Sequence, residues 1–132
     1  MVPSTFKDLS LFDIILSWQE EQEKGITFIR ADKEESFLSY AGLYQDAMQC
    51  LAGLQLSGLR QGNELILQTD NSQYFLTAFW ACILGGIIPV PVAIGRGKTG
   101  IEKVYKIWKN LHAPYLLTEE SHLQTLLKPW DE

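Results

Sequence analysis

Cysteine and histidine are scarce in this sequence, two of each among 132 residues. Cys50 and Cys82 both fall among apolar neighbours in stretches that read as helix. The expectation is two buried, reduced thiols, and nothing points to a disulfide-held secreted scaffold. His112 and His122 lie toward the C-terminal end. Neither has a second His, Cys or carboxylate at metal-ligand spacing, and no Ser-His-Asp or Cys-His order suggests a nucleophile. Basic residues are outnumbered, 11 against 16 acidic ones, for a net charge of −5. They are scattered apart from a mild grouping between Arg96 and Lys109, which argues against a nucleic-acid partner. No basic segment leads into an apolar one at the N-terminus, so no signal peptide is read. No apolar run is long enough to span a membrane: the longest, Ala78–Val92, is interrupted by Gly85, Gly86, Pro89 and Pro91. The expected location is the cytoplasm. Repeats and low-complexity segments are absent too.

What is present is a soluble-domain composition, 46% apolar and 20% charged, in a length that suits one domain with a real core. Residues 1–8 read as a loose tail and residues 9–132 as one α/β unit. Its centre is Glu64–Val92. Glu64–Gln68 reads as a strand, and Asp70 as a helix cap with Gln73 in capping-box position. The helix that follows carries Tyr74, Phe75, Ala78, Phe79, Ala81, Cys82 and Leu84, apolar on most sides and so expected to be largely buried. Gly85-Gly86 ends it, and Ile87–Val92 is a second strand. Strand, helix, strand is a parallel βαβ unit, and parallel strands covered on both faces read as unbroken apolar runs.

The remainder reads in order. Leu9–Lys24 is expected as a helix on the spacing of Leu11, Ile14, Ile15 and Trp18, stopped by Gly25, with Glu20, Glu21 and Glu23 on a solvated face. Ile26–Ala31 and Ser36–Leu38 form a hairpin around Asp32–Glu35. Ser39 caps a helix over Tyr40–Leu56, whose apolar face is Leu43, Ala47, Cys50, Leu51 and Leu54. Thr99 and Glu102 make a capping box for a helix over Ile101–Leu111, with Val104, Ile107, Trp108 and Leu111 as its buried stripe. Pro114–Leu117 is a third parallel strand, and Thr118 caps a last helix over Glu119–Leu127. The predicted fold is α/β, a doubly wound, mainly parallel sheet of at least three strands flanked by helices, with an N-terminal β-hairpin.

Motifs that carry chemistry fall short. Gly95–Gly100, GRGKTG, ends like a phosphate-binding loop, but the first glycine of that motif would fall where Val92 stands. It reads as a flexible basic surface loop. No Gly-x-Gly-x-x-Gly follows the first parallel strand, where the chain runs Gln68-Thr69-Asp70-Asn71-Ser72, so a dinucleotide site is not expected. Asp70 reads as a cap rather than a catalyst, and His122 as a surface residue. No catalytic, cofactor-binding or metal-binding residue is assigned.

Several strings nevertheless resemble, in order and spacing, the N-terminal end of the adenylate-forming superfamily of acyl-CoA synthetases, fatty acyl-AMP ligases and adenylation domains of non-ribosomal peptide synthetases. Leu38-Ser39-Tyr40-Ala41-Gly42-Leu43 is similar to its first core motif. Gly58-Leu59-Arg60-Gln61-Gly62-Asn63-Glu64-Leu65 resembles the passage into the first parallel strand. Asn71-Ser72 to Phe75, with Ala78-Phe79-Trp80-Ala81-Cys82, resembles the helix after it. Leu84 to Val92 resembles the second core motif, and Tyr115-Leu116-Leu117-Thr118 a later strand. The likeness covers about residues 10 to 128. Pro89-Val90-Pro91 resembles acyl-activating members more than amino-acid-activating ones, and the Gly95–Gly100 segment resembles starter-loading ligases of hybrid polyketide/non-ribosomal peptide synthases.

The resemblance implies a scaffold subdomain of a ligase that uses ATP and Mg²⁺ to form an acyl-adenylate and passes the acyl group to CoA or a carrier protein. The family's nucleotide-binding and catalytic motifs fall beyond residue 132, so this stretch alone is expected to be inactive. The abrupt end at Pro129-Trp130-Asp131-Glu132 suggests a cut chain. Implied partners are the remainder of the adenylation domain, a carrier protein or CoA, and a second copy docked through exposed apolar surface. Two other readings stay open: a non-catalytic docking module built on the same subdomain, and a small nucleotide- or flavin-binding protein.

Overall fold

A computed structural model describes residues 9–95 and 97–127. The tail expected over residues 1–8, Arg96 and the final residues 128–132 lie outside them. The elements run α1 (Leu11–Leu16), β1 (Gly25–Ile29), β2 (Glu35–Ser39), α2 (Tyr40–Leu56), β3 (Glu64–Gln68), α3 (Ser72–Gly85), β4 (Ile88–Pro91), α4 (Gly97–Asn110), β5 (Pro114–Thr118) and α5 (Glu120–Leu127). β1 and β2 pair antiparallel from Gly25↔Ser39 to Ile29↔Glu35. The other three strands form a parallel sheet in the order β4-β3-β5, with Leu65 opposite Pro89 on one side and Tyr115 on the other. The doubly wound α/β architecture and its hairpin are as the sequence predicts.

β3 is the centre because every one of its positions is buried. Alternate side chains of a strand point to opposite faces. Leu65 and Leu67 pack with Ile15 of α1, Leu51 of α2 and Ala81 and Cys82 of α3. Ile66 points the other way, into a cluster with Val104 of α4 and Leu126 of α5. Two layers of helix thus enclose one sheet.

Local chemistry sets the boundaries. The Ser39 hydroxyl accepts from the Gly42 N–H at 3.0 Å, and α2 starts and ends where expected. α1 is much shorter than the predicted Leu9–Lys24. Ser10 and Asp13 form a capping box that starts it, and it stops at Leu16. Beyond that point Trp18 stacks on Tyr40 at 4.5 Å and meets Trp80 edge-on at 4.8 Å. The carbonyl of Glu21 then accepts from the Ala41 N–H. Tertiary docking of one aromatic ring outweighs the helical period, and Gly25 opens β1 rather than ending a helix.

Three capping expectations are corrected. Asn71, not Asp70, caps α3, its side-chain oxygen accepting from the Tyr74 N–H at 3.0 Å. α4 begins at Gly97, so Thr99 lies inside the first turn, and Glu102 faces Lys98 at 3.8 Å instead of closing a capping box. Both of those side chains are exposed, so the pair adds little stability. The Glu119 carbonyl, not Thr118, opens α5, accepting from His122 N–H and Leu123 N–H, while Thr118 stays in β5 opposite Gln68. α3 is also less covered than expected. Ala78, Ala81 and Cys82 are buried, Tyr74 is 65% exposed, and the other apolar side chains of the helix are half-buried.

α3 ends as the glycine pair predicts. Gly86 takes a left-handed φ of 68° and donates its N–H to the Cys82 carbonyl. A β-carbon there is disfavoured by about 1–2 kcal/mol, whereas the nearest contact it would make, the Gln61 Cγ at 2.8 Å, belongs to a side chain that can move. Gly86→Ala is therefore expected to lose about that much stability in urea titration, and an unchanged midpoint would contradict the strain reading.

Candidate functional site

In an open α/β sheet, ligands bind outside the carboxyl ends of the strands, where neighbouring strands send their following helices to opposite faces. β3 and β5 are such a pair. β3 leads to α3 on the Leu65/Leu67 face, and β5 leads to α5 on the Ile66 face. A cleft of about 520 Å³ opens at their carboxyl ends, with Cys50, Gln73, Tyr74 and Leu117 among its walls and Thr69, Thr118 and Glu119 at its base.

Two residues just past the strand ends close the base. The Thr69 hydroxyl donates to Glu119 Oε1 at 2.6 Å, and the Asp70 N–H donates to the same oxygen at 3.3 Å. The Thr69 oxygen accepts in turn from the Asn71 N–H at 3.1 Å. His122 Nδ1 stands 3.8 Å from Glu119 Oε2, outside hydrogen-bond range, so the two attract only when the ring is protonated. The Thr69 hydroxyl, above all, holds the Glu119 carboxyl below its ordinary value of 4.5, with smaller help from the Asp70 N–H and His122 and a partial offset from desolvation. The carboxylate is thus charged near neutral pH and serves as a latch between the β3 and β5 loops.

A depressed carboxyl pKa stabilises the fold above the unfolded value, and that stabilisation disappears as pH falls through the folded one. Thr69→Val removes the main donor. The Glu119 carboxyl is then expected to titrate closer to 4.5, with less acid-dependent loss of stability below that pH. A carboxyl NMR titration checks this, and an unmoved Glu119 would refute the latch.

The other groups considered from sequence are not assembled into a reactive centre. Cys50 and Cys82 are free. Burial raises the Cys50 thiol, and burial together with Cys50 pushes Cys82 up to about 12, so neither is a thiolate at neutral pH. His112 offers its backbone N–H to Glu64. His122 is half-buried, a correction to its expected place on the surface. Gly97–Gly100 is helix rather than loop, and a β-carbon on Gly100 would come within 2.4 Å of the Gly95 carbonyl carbon. Among the described residues no group of three His, Cys, Asp or Glu could hold a metal, and no helix is long and apolar enough to cross a membrane. Thr69 and Glu119 carry no sequence motif; their only signal is their position after two parallel strands.

No family model matches the chain. Solved structures do. It aligns with the McyG A-PCP structure, complexed with phenylalanyl-adenylate, at 35% identity and a TM-score of 0.85 over 93% of this chain. The adenylation domain of a keto acid-selecting non-ribosomal peptide synthetase module, bound to a keto acyl adenylate, matches at 33% identity and 0.79 over the same share. The chain belongs to the adenylate-forming superfamily. A fatty acid AMP ligase from Legionella pneumophila shares the fold, with a TM-score of 0.80 at 23% identity over 95% of this chain. This chain spans only 22–24% of the length of those three proteins.

Proposed function

We propose that this chain is a supporting wall of an ATP-dependent ligase that joins a carboxylic acid to AMP and hands the acyl group to a thiol on CoA or a carrier protein. The observation that carries the reading is the likeness to adenylation domains, above 30% identity across nearly the whole chain. Among the described residues no group of three His, Cys, Asp or Glu is available to hold a metal ion, which supports this reading. On this reading the nucleotide, the metal and the adenylation step belong to residues outside this stretch. What this stretch supplies is a rigid β3–β5 floor whose latched loops face the cleft. The sequence around Pro89 and Pro91 favours an acyl rather than an amino-acid substrate. Apolar side chains left exposed, including Ile88 at the sheet edge and Leu123 on α5, give the rest of an adenylation domain surface to cover.

ATP–pyrophosphate exchange tests this. The full-length protein is expected to exchange with 2-keto or other acyl carboxylates in preference to amino acids, and this chain by itself to show none. Absence of exchange with every acid in a broad panel would overturn the ligase reading. Exchange by the chain alone would overturn its role as a wall.

A further inference from the structure

A second polar cluster lies behind the latch, on the α4/α5 side of the sheet. Gln68, the last residue of β3, is 4% exposed. Its Oε1 finds no hydrogen-bond partner among the described residues, and the same holds for Thr118 Oγ1 and His122 Nδ1. Gln68 and Thr118 stand opposite each other in the parallel ladder. Two residues earlier on each strand, Ile66 and Leu116 pack into the α4/α5 cluster, so Gln68 and Thr118 share that face. Gln68 and His122 both line a small cavity of about 30 Å³, together with Ile94, Gly95, Gly100, Ile101 and Leu126. The roof is tight because the Gly95 and Gly100 backbones touch, which only glycines allow.

Buried acceptors that stay unpaired cost free energy, and polar cavities above about 10–15 Å³ take up water where two to four partners are available. We infer that this cavity is a binding site for one ordered water molecule, held by Gln68 and His122. The water donates one O–H to Gln68 Oε1 and the other to His122 Nδ1. The two orphaned acceptors that line the cavity then each have a donor. The arrangement fixes His122 as the tautomer with its proton on Nε2. It also ties the start of α5 to the end of β3, which holds Glu119 in reach of Thr69. The inference does not depend on the ligase reading.

Two measurements on the unaltered chain test it. A high-resolution crystal structure is expected to show one density peak in the cavity within about 3 Å of Gln68 Oε1 and His122 Nδ1. Long-range ¹H–¹⁵N spectra of His122 should report the Nε2–H tautomer. Gln68→Met, apolar and of similar length, is expected to remove the peak. A dry cavity, a direct Gln68–His122 hydrogen bond or an Nδ1–H tautomer would each overturn the proposal, whether or not the variant folds.

Discussion

Ile66→Ala is expected to lower the stability of this chain by about 2–5 kcal/mol, the range found when a fully enclosed aliphatic side chain is truncated and its surroundings close in only partly. Ile66 is 0% exposed at the middle of the central strand and joins Val104 and Leu126 on one face of the sheet. Neighbouring strands β4 and β5 hold the backbone on both sides, so the strand cannot shift to fill the gap. Ile66→Val should cost only about 0.5–1.5 kcal/mol, because one methylene is removed. Ile29, at the end of β1 and 70% exposed, supplies the control. Ile29→Ala should stay within about 0.5 kcal/mol. Urea titrations should show the Ile66 midpoint falling with the slope unchanged, the sign of lost stability in an intact two-state fold. Equal costs at Ile66 and Ile29 would mean that β3 is not sandwiched between two helical layers.

That sandwich was legible from sequence because its signals are local. β3 is a short run, apolar in the middle, after a Gly-Asn turn, and its expected bounds match the observed ones. α2 follows a serine that can cap, and its apolar stripe repeats at helical spacing. Features decided by distant residues were not legible. Trp18 leaves its helix to stack on Tyr40, an attraction that no window around residue 18 contains. Asp70 and Asn71 are equally good caps on local grounds. The choice falls to Asn71 in a turn where Glu119 accepts from both the Thr69 hydroxyl and the Asp70 N–H, across about fifty residues. The same distance hid the latch itself. Thr69 and Glu119 belong to no motif, and only the pairing of β3 with β5 brings them together.

The family likeness and the physical reading meet at this point. The two adenylation-domain structures named above hold adenylates, while among the described residues of this stretch no group of three His, Cys, Asp or Glu could hold a metal. What the carboxyl end of its parallel sheet does show is a set of hydrogen bonds between loops, from the Thr69 hydroxyl and the Asp70 N–H to Glu119.

The opposite end of β3 is fastened in a similar way, and Glu64→Leu is expected to loosen it by several kcal/mol. Glu64 is 8% exposed, and its Oε1 accepts from the His112 N–H at 2.6 Å and the Ala113 N–H at 2.9 Å. The Glu64 N–H returns a bond to the Ala113 carbonyl at 3.3 Å. One carboxylate thus turns the chain from the end of α4 into β5 and sets the pairing that continues from Glu64↔Pro114. Leucine fills much of the same volume but leaves two N–H groups without an acceptor, at about 1–3 kcal/mol each. Glu64→Gln keeps an acceptor oxygen and loses only the charge assistance, so it should cost about 1 kcal/mol. Amide exchange at residues 112 and 113 should accelerate strongly in Glu64→Leu and only mildly in Glu64→Gln. If the two variants unfold at the same urea concentration, the carboxylate is not what joins β3 to the turn before β5.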